Sequence, residues 1–232
     1  MVIRVHVRND SAGTRRDAYE SLARATGIIG IAFMVFLFGP IIAVSTAGEP
    51  GLEATAEQAA TFFGNADATW TQVAMAATKI GLIGSLWFVV AFGFLLRRAE
   101  GDPAWRSAIA TLSGALLGAY GLIDSSWDAA SLHGKNITPG VADYAYHVGN
   151  IGFANAWVAI ASFAVCSGWV ILRTGMFERW MGWWVMATGA GLVVARFVWT
   201  MPVWGVPYGA FWLWVLVVCV RLLRRPAPAR MG

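Results

Sequence analysis

Five ionisable side chains lie within or at the edge of long apolar stretches: Lys79, Asp124, Asp128, His147 and Arg196. In hydrocarbon an unpaired charge costs several kcal/mol, so such groups turn toward the interior of a bundle, find one another, or mark the path of a ligand. Tyr120, Asp124 and Asp128 recur at i, i+4 spacing and share one helical face, while Asn150 and Asn155 flank the direction of His147. All of these fall at one end of their stretches, which predicts a polar chamber open on that side. Lys79 is expected to face Asp124, Asp128 or both by extending its side chain along the helix.

Three kinds of chemistry fit this set. Lys79 and Arg196 could neutralise Asp124 and Asp128 and so hold the helices together. Lys79, Tyr120, Asp124, Asp128, His147, Asn150, Asn155 and Arg196 could instead line a site for a small polar molecule or a lipid headgroup. Asp124, Asp128, His133 and His147 offer the oxygen and nitrogen donors that zinc or another divalent metal takes, as in a membrane-embedded hydrolase. No HxxxH or HExxH spacing supports the metal, and neither a phosphate-binding glycine loop nor a nucleophile elbow is present. No facing pair of mid-helix histidines offers a haem clamp. Cys166 and Cys219 sit in apolar runs without metal or redox spacing and read as small buried hydrophobes. The leading expectation is a non-enzymatic accessory or ligand-binding protein without a cofactor; the hydrolase is the alternative, and a small transporter the third reading.

The elements that must position these residues are membrane helices. Of 232 residues, 58% are apolar and only 13% charged, against about 25% charged in soluble domains. Six apolar stretches follow one another: Thr26 to Ala47, Trp70 to Leu96, Trp105 to Trp127, Tyr146 to Leu172, Met181 to Trp199 and Ala210 to Leu223. The expected fold is therefore an all-α polytopic bundle of six transmembrane helices. Fourteen of the seventeen Lys and Arg lie in the N-terminal segment, the turns after Leu96 and Leu172, and the segment after Val220; the opposite loops hold only Lys135. Basic residues resist translocation, so both termini are assigned to the cytoplasm. The chain divides into a basic tail (1–24), a helical domain (25–225) and a short second tail (226–232), and the first tail reads as mobile and drawn to anionic headgroups. Nothing in its opening residues has the form of a cleaved signal. The net charge of +4 follows this sidedness rather than a nucleic-acid patch.

Pro40 should kink the first helix near its outer end. Thr55-Ala56-Glu57-Gln58 has the form of a capping box and predicts a short helix on the outer surface. Most tryptophans, among them Trp70, Trp105, Trp127, Trp180, Trp183, Trp184, Trp199 and Trp204, fall near helix ends and read as interfacial anchors. Gly114 and Gly118 form a GxxxG, and Gly182, Gly189 and Arg196 share a face that should point inward.

Leu172-Arg173-Thr174-Gly175, followed by Arg179-Trp180-Met181-Gly182-Trp183, resembles the cytoplasmic turn of a broad group of uncharacterised bacterial, largely actinobacterial, six-helix membrane proteins. The outer loop from Ala54 to Phe63 is similar to theirs as well. The resemblance implies the helix layout and the cytoplasmic membrane of a bacterium, but carries no activity. Glu178 stands where those relatives are expected to have proline, which implies a different turn geometry here. The partners implied are the bilayer itself, a lipid or small polar ligand, and a membrane protein or second copy of the chain.

Overall fold

A computed structural model describes residues 10–45, 48–65, 69–123 and 126–224, with no strand among them. Six long helices, α1 (Asp10–Ser45), α3 (Thr69–Glu100), α4 (Trp105–Ile123), α6 (Pro139–Thr174), α7 (Arg179–Phe197) and α8 (Gly205–Arg224), alternate with two short ones, α2 (Ala56–Asn65) and α5 (Ser126–Leu132). Five segments are long and apolar enough to cross a membrane: Asp17–Ala43, Gln72–Glu100, Trp105–Leu132, Pro139–Thr174 and Pro202–Arg224. The expected fifth stretch, α7, is not among them, because glycines, tryptophans and two terminal arginines dilute its aliphatic content.

Each long helix packs against its neighbours in the cyclic order α1, α3, α4, α6, α7, α8 and back to α1. The ring closes on an aromatic and aliphatic core that includes Phe33, Phe92, Phe163, Phe211 and Trp214. Trp214 is fully buried and its indole N–H donates to Met181 O at 3.0 Å, so its own donor is satisfied within the core. Small residues permit the close contacts. A Cβ on Gly81 would lie 2.7 Å from the Leu37 backbone nitrogen, so α1 and α3 meet backbone to backbone. Gly114 and Gly118 take Val89 and Leu86 of α3, and Gly182 and Gly189 seat α7 on Leu172 and Val165 of α6. The inward face expected for α7 is thus the face that meets α6.

Three expectations are adjusted. Helix α1 begins at Asp10, well inside the segment read as a mobile tail, and continues through Pro40 to Ser45. The third stretch is described as helix over Trp105–Ile123 and again over Ser126–Leu132, so its helical residues extend beyond the expected Trp127. The last helix begins at Gly205, because the short turn Pro202–Trp204 leads directly into it. The predicted capping box is present at the start of α2: Gln58 N–H donates to Thr55 Oγ1 at 3.3 Å, and Thr55 N–H to Gln58 Oε1 at 2.8 Å. Helix α2 packs Phe62 and Phe63 against Trp127 of α5 and Tyr146 of α6, so it caps the bundle rather than lying free on its surface. At the other end, Glu178 precedes α7 and pairs with Arg221 of α8 at 3.1 Å. Residues 1–9 and 225–232 lie outside the described residues.

Candidate functional site

Lys79 leaves α3 about six helical turns before its end at Glu100, at the level of the last described turn of α4 and the start of α5. Its Nζ lies 2.8 Å from Asp128 Oδ2 and donates to Gly121 O at 3.2 Å. That carbonyl lies in the last described turn of α4, so one ammonium serves a carboxylate and a helix carbonyl together. Both side chains of the ion pair are 32% exposed, which makes the pair neither a surface bridge nor a fully desolvated one. The expected meeting of Lys79 with Asp128 is therefore realised. Asp124 lies outside the described residues.

The exposure of the pair is exposure to a cavity of about 420 Å³ among α1, α3, α5, α6 and the start of α8. Lys79, Asp128 and Asn150 line it, together with Phe38, Trp127, Phe153, Trp204, Tyr208 and Glu49. Its size falls within the range of small-molecule sites. Two donors on its wall have no hydrogen-bond partner among the described residues, Asn150 Nδ2 and Trp127 Nε1, and both atoms are buried. Asn150 is only 5% exposed, so water cannot freely satisfy it. Its amide approaches the Tyr146 hydroxyl closely enough to influence it, without reaching hydrogen-bond geometry. That hydroxyl already donates to Pro50 O at 2.6 Å. The Trp127 indole nitrogen rests where a side chain on residue 149 would stand, and glycine at that position is what admits it. Both donors thus border the cavity near the same turn of α6, one beside Gly149 and the other on Asn150.

Glu49 comes from the loop between α1 and α2, which the Tyr146 bond ties to α6. Water reaches its side chain, yet burial pushes its carboxyl above the ordinary value of 4.5. The two observations agree if the water is that of the cavity, where surrounding protein removes much of the bulk dielectric.

The other expected residues lie elsewhere. Arg196 gives both Nε (3.0 Å) and Nη2 (2.8 Å) to Asn155 Oδ1 on the outer face between α6 and α7. His147 closes on its own helix, its Nδ1 3.0 Å from Asp143 O and 3.4 Å from Asp143 Oδ1. Tyr120 packs its hydroxyl into the space left by Gly152. The predicted single chamber is thus three separate arrangements, because successive turns of α6 direct Asn150, Asn155 and His147 to different sides. His133 is exposed before the turn Gly134–Asn136, and among the described residues no three His, Cys, Asp or Glu side chains gather as a metal site.

Sequence reasoning missed Glu49, Phe153 and Tyr208, and read Trp127 and Trp204 as anchors. By contrast Trp105, Trp180 and Trp183 are exposed on the outside of the bundle, as an anchor must be. The side chain of Trp70 lies outside the described residues. Comparison with protein-family models, with curated proteins and with solved structures gives no match.

Proposed function

We propose that this chain is a bacterial cytoplasmic-membrane protein that crosses the bilayer six times with both termini inside, and that it binds a small ligand in the outer cavity without transforming it. Helix α7 is the sixth span in this reading. It has 19 residues, or about 28 Å of helix, close to the hydrocarbon thickness, and it sits between α6 and α8 in the ring. The distribution of Lys and Arg supports a cytoplasmic side for the α3–α4 and α6–α7 turns and an outer side for the cavity.

The observation that carries ligand binding is a cavity of about 420 Å³ that brings together charged side chains and two of the seven buried side-chain polar atoms without a partner among the described residues. Buried N–H groups are almost always satisfied, and leaving one without a partner costs about 1–3 kcal/mol. A charge pair that served only as helix glue would need neither the space nor the two donors. A thermal-shift panel of small amphipathic compounds tests the reading against Thr78→Trp, which fills the cavity from α3. Compounds that raise the Tm of the wild type should leave the filled variant unmoved. Equal shifts in both, or no stabilising compound at all, would count against the cavity as the site.

A further inference from the structure

The lining of the cavity narrows the ligand. Lys79 and Asp128 cancel each other at 2.8 Å, whereas Glu49 has no ion pair among the described residues. Phe153, Trp204 and Tyr208 stand edge to face, with centroids 5.6 Å (Phe153 to Trp204), 5.2 Å (Phe153 to Tyr208) and 5.9 Å (Trp204 to Tyr208) apart, forming an aromatic corner. Aromatic faces carry partial negative charge and attract ammonium ions, most strongly where water is excluded. With Lys79 and Asp128 paired, an anionic ligand would meet Glu49 and these faces. The opposite wall asks for something different, because Asn150 Nδ2 and Trp127 Nε1 are neutral donors that need an acceptor. A neutral oxygen satisfies them without adding a negative charge to a cavity whose unpaired charge is that of Glu49.

Building on the reading of this cavity as a ligand site, we infer that its ligand is an organic ammonium ion carrying a neutral acceptor oxygen, the cation between Glu49 and the Phe153, Trp204 and Tyr208 corner and the oxygen at Trp127 and Asn150. Burial raises the proton affinity of Glu49, and a bound cation would offset that cost by stabilising the carboxylate. The same ammonium chemistry is found in a choline lipid headgroup, but the adjoining phosphate would bring a second negative charge into the cavity beside Glu49 while Lys79 is already engaged by Asp128, so a free cation is favoured.

Benzoylcholine is a suitable probe because it combines a quaternary ammonium, an ester carbonyl and a flat body. Its carbon isostere, 3,3-dimethylbutyl benzoate, has the same shape without the charge. Binding is followed by quenching of tryptophan fluorescence in nanodiscs of phosphatidylglycerol, which contain no choline. The expected result is at least tenfold tighter binding of benzoylcholine than of the isostere. Glu49→Gln should erase that difference while retaining isostere binding, and Asn150→Leu should weaken both. Equal affinity of the two probes in the wild type would overturn the cation assignment and leave the cavity reading standing. Absence of binding by either would overturn the inference as well, with the thermal-shift panel deciding the cavity separately. If dihexanoyl phosphatidylcholine displaces benzoylcholine at equal concentration, the free-cation assignment falls in favour of a headgroup.

Discussion

Replacing Lys79 by methionine keeps most of the side-chain volume and removes the ammonium, leaving Asp128 without its partner at 2.8 Å and Gly121 O without a donor. At that separation the gross attraction is about 6 kcal/mol at an effective dielectric of 20, from which desolvation and side-chain ordering must be subtracted. Fully buried pairs lose about 3–5 kcal/mol on losing one partner, and exposed pairs about 1 or less. With both side chains 32% exposed to a cavity, the intermediate value is expected. Lys79→Met should therefore cost about 2–3 kcal/mol, of which about 1 is the hydrogen bond to Gly121 O and the rest the charge pair. Asp128→Asn in the Lys79→Met background should recover part of that loss, giving a coupling energy of about 1.5–2 kcal/mol in a double-mutant cycle measured by reversible unfolding in detergent. Additivity within about 0.5 kcal/mol would refute the argument, since the ion pair would then carry no energy of its own.

Tyr146→Phe removes the bond to Pro50 O from a fully buried ring, and should cost about 1 kcal/mol while speeding hydrogen exchange in the loop that carries Glu49. Gly81→Leu should destabilise by more than about 3 kcal/mol, because its side chain would have to enter the α1 backbone, and a thermal melt in detergent reads this directly. Glu49→Gln should change the pH dependence of stability. The folded protein holds the Glu49 proton more tightly than the unfolded chain, so stability declines as pH rises from the ordinary value of 4.5 to the raised folded value. The glutamine variant should lack this decline when melts are compared across that range.

The helices were legible because hydrocarbon imposes long apolar runs and the capping box is a local signal, as Thr55 and Gln58 demonstrate. Lys79 and Asp128 were legible as partners because a charge in an apolar run has few ways of being satisfied. What could not be read was the rotation of α6. Asn150, Asn155 and His147 lie within nine residues, yet one lines the cavity, one holds Arg196 on the outside and one closes on Asp143. Depth along a helix follows from spacing, but azimuth depends on which neighbours pack where, and those are set by Gly149, Gly152 and the rings that fill their space. The same limitation applies to Trp127 and Trp204. A tryptophan near a helix end is an anchor or a cavity wall according to whether the adjacent surface is lipid or another helix, a difference absent from local sequence. Glu49 could not be placed at the cavity, since nothing nearby in sequence indicates that Tyr146 ties its loop onto α6.

The central claim, a ligand cavity open to the outer side of the membrane, is tested most directly by thiol accessibility in intact cells. With Cys166 and Cys219 replaced, Met75→Cys places a thiol on the cavity wall, and Asp102→Cys places one in the turn between α3 and α4. The account predicts that a membrane-impermeant maleimide added outside labels the cysteine at residue 75 and spares the one at 102 until the cells are opened. Labelling of residue 102 in intact cells, or protection of residue 75 until the membrane is breached, would contradict it.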